Sequence, residues 1–162
     1  MSGRPLPDVS AILGPLLAGV QPRERPLLLA IAERMAAERY RRWASQVETA
    51  DVRTGLLTCA DREDAIAARV EAVYPDASAV QQRLRAAHPD LGAINADIFA
   101  DRPLAEQFAI QAAGERLGAA TWRAVAAATA NEAARAAFLA CAPLEEASAA
   151  FLEGLLARGA TT

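Results

Sequence analysis

The chain has 162 residues, 53% of them hydrophobic and 23% charged, with a formal net charge of -3 at pH 7. Such a length makes one domain that buries about 70% of its unfolded surface, and the acidic balance argues against nucleic acid as a partner. All 17 basic residues are arginine and His88 is the one histidine, which excludes Schiff-base chemistry on lysine, phosphate-loop NTPases and zinc sites made of several imidazoles.

In chain order, the segment DVSAILGPLLAGV over residues 8–20 is apolar but interrupted by Gly14 and Pro15, and reads as a docked arm occupying residues 1–21. It offers no signal-peptide run, and Leu27 to Ala32 is too short to cross a bilayer. The expected location is cytoplasmic and no membrane contact is expected. Alanine supplies about a quarter of the residues and strand-type alternation is nowhere sustained, so the fold class is all-α.

The punctuation predicts long helices over residues 23–47, 51–73, 103–129 and 131–158, with Thr49 or Asp51 capping the second and Asn131 the fourth. Pro143 should kink the fourth. The four helices pair as a first hairpin, 22–73, and a second, 103–158, joined by a crossover, 74–102, holding shorter helices from Asp76 and Leu91. On the first long helix Leu27, Leu28, Ile31 and Met35 form an apolar back face that must be covered, by the arm or by a second copy of the chain in a homodimer.

Sliding the chain against itself at an offset of 82 matches residues 30–71 with 112–153, and 15 of these 42 positions are identical. Besides seven alanines, the identities include Glu33/Glu115, Arg34/Arg116, Arg41/Arg123, Cys59/Cys141, Glu63/Glu145 and Glu71/Glu153. Two related hairpins are the simplest reading.

Helical periodicity places Glu33 amid Leu29, Ala37, Tyr40, Ala44 and Val47, and Glu63 amid Val52, Leu56, Cys59, Ala67 and Val70. Glu115 falls among Leu104, Phe108, Gln111, Ala119 and Trp122, and Glu145 among Phe138, Cys141, Ala149 and Leu152. Each of the four lies at the centre of the most apolar stripe of its helix, so they should meet inside. Burying them costs several kcal/mol apiece unless cations or protons neutralise the charge. Glu38, Asp64, Glu71, Asp97 and Glu146 lie off the stripes and read as solvated surface charges.

This arrangement resembles the ferritin-like superfamily, and its rubrerythrin-type members most closely. Shared features are four long helices with one long crossover, internal hairpin symmetry and single glutamates on the first and third helices. The family's second and fourth helices carry Glu-x-x-His, whereas this chain has Glu63-Asp64-Ala65-Ile66 and Glu145-Glu146-Ala147-Ser148. The resemblance, from Pro22 to Leu156, implies a ferritin-like four-helix bundle with Glu33, Glu63, Glu115 and Glu145 as metal ligands. It implies one or two divalent ions, iron or manganese, serving oxygen or peroxide chemistry or metal handling.

Two readings stand at this level. In one, the four carboxylates bind hard divalent ions through an oxygen-only shell, with water in the imidazole positions. In the other, no metal binds and protonated carboxyls bond to one another or to Gln111, Ser148 and Tyr40, leaving a scaffold or interaction module. Cys59 and Cys141 read as buried core thiols, because antiparallel helices would hold their sulfurs on opposite sides of the glutamate layer. Tyr40 and Trp122 read as core packing, and His88 as a surface side chain.

Overall fold

The computed structural model describes residues 5–159, and their regular structure is entirely helical, with no strand among the described residues. In order come α1 (Val9–Ala18), a 3-10 turn (Pro22–Glu24), α2 (Arg25–Gln46), α3 (Ala50–Glu71), α4 (Ala77–Ala87), α5 (Leu91–Phe99), α6 (Leu104–Ala127), α7 (Glu132–Leu139) and α8 (Ala142–Arg158). Asn131 caps α7 by accepting from the Ala134 amide at 2.9 Å. Thr49 holds the cap position of α3 without a side-chain bond. Among the described residues no helix is long and apolar enough to cross a membrane.

Helix α2 lies along α3, α6 lies along α8, and α3 against α8 joins the two pairs. The last contact is close because Gly55 has no side chain, and a Cβ there would stand 2.1 Å from the Phe151 ring. Between α2 and α6 the contact is made by long side chains. Trp43 Nε1 donates to Gln107 Oε1 at 2.8 Å, Arg39 Nε to Gln111 Oε1 at 3.0 Å and the Tyr40 hydroxyl to Glu115 Oε1 at 2.6 Å. Rising numbers on α2 meet falling numbers on α6, so the two helices run antiparallel.

The expected fourth helix, 131–158, is two helices that part at Ala140 and Cys141. Pro143 has no amide hydrogen and its ring would strike the Leu139 carbonyl, so the ladder stops there and restarts with proline in the first turn. In the first hairpin the matching position is Asp61, and α3 runs through unbroken.

Of the off-stripe acids Glu38 and Asp97 are exposed as expected, whereas Asp64, Glu71 and Glu146 are half-buried, and among the described residues all but Asp97 pair with an arginine. Arg34 bridges Asp64 and Glu71 at 2.8 Å each, and Arg41 reaches both Asp64 and Glu38. Arg116 to Glu153 at 2.7 Å and Arg123 to Glu146 at 2.6 Å occur 82 residues further on. Such pairs contribute little to stability individually. They do fix the register of each hairpin, by tying its first helix to its second in the same way.

The back face of α2 is covered within the chain. Leu27, Leu28 and Ile31 are buried against Val80 and Leu84 of α4 and Leu91 of α5, with Leu16, Leu17 and Met35 at the edge. The cover comes from the crossover together with the arm, whose Val20 is buried in the same cluster, so the arm expected from the sequence shares this face with α4 and α5. Despite Gly14 and Pro15 the arm is helical as α1, capped by Asp8, which accepts from the Ala11 amide at 3.1 Å. Helix α1 reaches α6 and buries none of its own residues fully.

Candidate metal centre

Each repeated glutamate sits between two apolar clusters. One cluster is built on Tyr40, Trp43, Leu56, Phe108 and Leu152, and the other on Ile66, Val70, Trp122 and Phe138. Oxygens of Glu33, Glu63 and Glu145 lie within 4.8 Å of one another. Glu115 completes the group from α6, close enough for its charge to act on the other three. Glu63, Glu115 and Glu145 are buried and Glu33 is half-buried. All four glutamates expected from the sequence are thus brought together.

The donors around them divide unevenly. Glu115 Oε1 accepts from the Tyr40 hydroxyl and from Gln111 Nε2, both at 2.6 Å. Glu145 Oε1 accepts from Trp122 Nε1 at 2.9 Å, and Glu63 Oε1 from the Ser148 hydroxyl at 3.2 Å. Tyr40 and Trp122, equivalent in the repeat, therefore do more than pack, because each aims its polar atom at the cluster. Glu63 Oε2 is buried with no hydrogen-bond partner. Leaving a buried acceptor unmatched costs about 1–3 kcal/mol, and more when it is charged.

Burial and mutual repulsion shape the titration of the group. Burial first, then the charge of Glu115, pushes Glu33 from the ordinary 4.5 up to about 7. Burial also drives Glu63 and Glu145 well above the usual carboxyl range, with the other glutamates adding to it. With no cation present, burial and the neighbouring charges favour the protonated form of Glu63 and Glu145. The Tyr40 hydroxyl is raised as well, by burial and then by Glu115, so it remains a donor.

The residues fit a hard divalent cation. Every side chain aimed at the centre offers oxygen except the Trp122 and Gln111 donors, and carboxylate oxygen is the donor that such ions prefer. Two oxygens on one ion lie at most twice the bond length apart, about 4 Å for a bond of about 2.1 Å and about 5 Å for one of about 2.5 Å. The three oxygens lie within 4.8 Å of one another, inside the span of the longer bonds. Glu33, Glu63 and Glu145 would hold the ion, with Glu115 oriented by Tyr40 and Gln111. At the two histidine positions of the resemblance, Ile66 is core and Ser148 bonds Glu63.

Two features of this centre, the space at Gly118 and a cavity, lie outside the sequence reading, and Gln111, expected as a carboxyl partner, also reaches Arg39. Gly118 makes room for Glu145, since a Cβ on it would stand 2.6 Å from Oε1 and 2.8 Å from the carboxyl carbon. Gln111 turns its oxygen to Arg39 and its amide to Glu115. A cavity of about 200 Å³ between α2 and α6, roofed by α1 and α5, reaches Glu33, Glu115 and Glu145. The available signal was the small residues Ala32 and Ala36 facing Gly114 and Gly118, each pair one turn apart.

Cys59 and Cys141 are free thiols in separate clusters on either side of the glutamates. Burial pushes the first up to about 11 and the second to about 12, leaving both unreactive. His88 closes α4, away from the cluster. Comparison with protein-family models, with curated proteins and with solved structures finds no match to the chain.

Proposed function

We propose that this chain is a ferritin-like carboxylate protein whose glutamates 33, 63, 115 and 145 hold one or two divalent ions, iron or manganese, for oxygen, peroxide or metal handling. The observation that carries the proposal is the meeting of buried Glu63, Glu115 and Glu145 with Glu33, where Glu63 Oε2 faces no donor among the described residues but the neighbouring carboxyls and a cation would relieve their repulsion. A site emptied of its metal has no use for four such groups, which apolar residues would replace at lower cost. The four-helix, two-hairpin description is supported by the repeat and by the Arg34–Glu71 and Arg116–Glu153 pairs at matching positions. A bound ion would supply Lewis acidity and, as iron or manganese, redox capacity. The protein would supply the oxygen ligands, the Tyr40 and Trp122 donors and the dry surroundings.

The test is elemental analysis of protein purified without chelator, and again after anaerobic incubation with Fe(II) or Mn(II). One or two ions per chain are expected, with loss of uptake in Glu63→Gln/Glu145→Gln, which keeps shape and removes charge. Stoichiometric metal in the double variant sinks the four-carboxylate site. No metal in the unmutated protein leaves the alternative, a metal-free bundle acting as a scaffold or interaction module.

A further inference from the structure

Arg39 is 6% exposed, yet the partners of its guanidinium are neutral. Nε donates to Gln111 Oε1 at 3.0 Å and Nη1 to Asn95 Oδ1 at 2.5 Å. The Phe99 ring centroid lies 4.0 Å from its central carbon. Among the described residues no carboxylate stands within ion-pair distance of it. The nearest negative charge that acts on it, Glu115, stands behind Gln111, so this buried cation is only partly compensated, and an aromatic face offsets only part of the rest. Every other arginine that bonds an acidic side chain here does so nearer the surface or, like Arg102, beside its own glutamate.

Arg39 also stands where two cavities meet. The inner one, of about 200 Å³, is walled by apolar side chains such as Leu13, Leu17, Ala36 and Ile98. The outer one, of about 250 Å³, is bordered by polar groups including Arg42, Gln46 and Gln107. An apolar compartment closed at one end by a fixed cation, with a polar mouth behind it, has the layout of a site for a small amphiphilic anion. A cavity of about 150 Å³ accepts benzene, so the inner compartment takes an apolar body of one ring or a short branched chain.

We propose that the cavity beneath α1 and α5 binds a small monocarboxylic acid, its carboxylate on Arg39 and its apolar body against Leu13, Leu17 and Ala36. The glutamates at the other end do not forbid an anion here. Arg39 lies six residues from Glu33 on α2, about 9 Å along the axis. Gln111 stands between the two poles, with its oxygen toward Arg39 and its amide toward Glu115. Arg39 is then a binding residue, while Asn95 and Gln111 position it. The inference does not need metal in the centre, and an acid so placed would lie beside any ion bound there.

The test is calorimetric titration of the full chain with phenylacetate and with phenylacetamide, which has the same shape and no charge, on chelator-treated and on metal-loaded protein. Phenylacetate should bind at least about tenfold more tightly than the amide, the scale of one lost charge-assisted bond. Arg39→Met should erase that preference while leaving the amide's affinity unchanged, and Ala36→Leu, which fills the compartment, should abolish both. If Arg39→Met does not fold, Asn95→Leu removes the amide that aims the guanidinium and should reduce the preference. Equal affinity for the two probes, no binding of phenylacetate to the unmutated chain, or an undiminished preference in folded Arg39→Met overturns the proposal. Binding that persists in a protein that takes up no metal refutes the metal reading alone.

Discussion

Replacing Glu63 by glutamine in chelator-stripped protein separates a buried acid from a buried anion. Glu63 has no solvent-exposed surface, accepts from Ser148 at 3.2 Å and is held well above the ordinary carboxyl value of 4.5 by burial. Its folded-state pKa is raised, so between 4.5 and that pKa the folded state binds more protons than the unfolded one. Its stabilising contribution is therefore complete below 4.5 and is lost as pH rises toward the folded value. The loss runs at about 1.4 kcal/mol per pH unit for each carboxyl kept neutral. From 4.5 up to pH 7 it amounts to about 3 kcal/mol at Glu33, which titrates near 7, and Glu63, raised by the same burial, loses stability in the same direction. Glutamine keeps the Ser148 bond and needs no proton. Metal-free Glu63→Gln should thus be more stable than the unmutated chain at pH 7 and no more stable below 4.5, with a flatter dependence between. Urea unfolding followed by far-ultraviolet circular dichroism across that range reads both quantities. A well-folded variant less stable than the parent at neutral pH would mean that Glu63 is ionised and held by donors, and the reasoning would be wrong.

Gly118→Ala gains up to about 1 kcal/mol of helix propensity but drives a methyl group into the Glu145 carboxyl. Thermal stability should hold or rise while affinity for Fe(II) or Mn(II), measured by titration, falls about tenfold; unchanged affinity would show that Glu145 is not a ligand. Tyr40→Phe removes the 2.6 Å bond to Glu115 and should cost about 1–3 kcal/mol in chemical denaturation, so a neutral outcome would mean that the hydroxyl contributes packing alone. Gly55→Ala sets a Cβ 2.1 Å from the Phe151 ring and should destabilise by about 1–3 kcal/mol. The same substitution combined with Phe151→Leu should recover most of that loss, and failure to recover would place the strain elsewhere.

The all-helical class, the helix limits to within a few residues and the meeting of the glutamates were legible because each depends on local periodicity, which the repeat states twice. What covers α2 was legible only in part, through the arm. Val80 and Leu84 announce an amphipathic α4, but which face it meets is settled by the path of the crossover, and no pattern within α2 encodes that path. Arg39 was missed for a related reason. An arginine off the apolar stripe reads as a surface charge, and its burial is imposed by Asn95 and Phe99, more than fifty positions away on α5. Pro143 was legible as a disturbance, but a kink and a complete break differ only in whether the chain loses its ladder, which the neighbouring Ala140 and Cys141 do not reveal.

That break makes the two halves of the centre unequal in time as well as in shape. Glu63 lies past the middle of an uninterrupted 22-residue helix, whereas Glu145 occupies the first turn of α8. Helix ends open with far less free energy than helix centres. The start of α8 would thus loosen before the middle of α3 does, even though Cys141, Ala142 and Glu145 are packed inside. Hydrogen exchange should therefore be faster at the start of α8 than around Glu63 in the middle of α3.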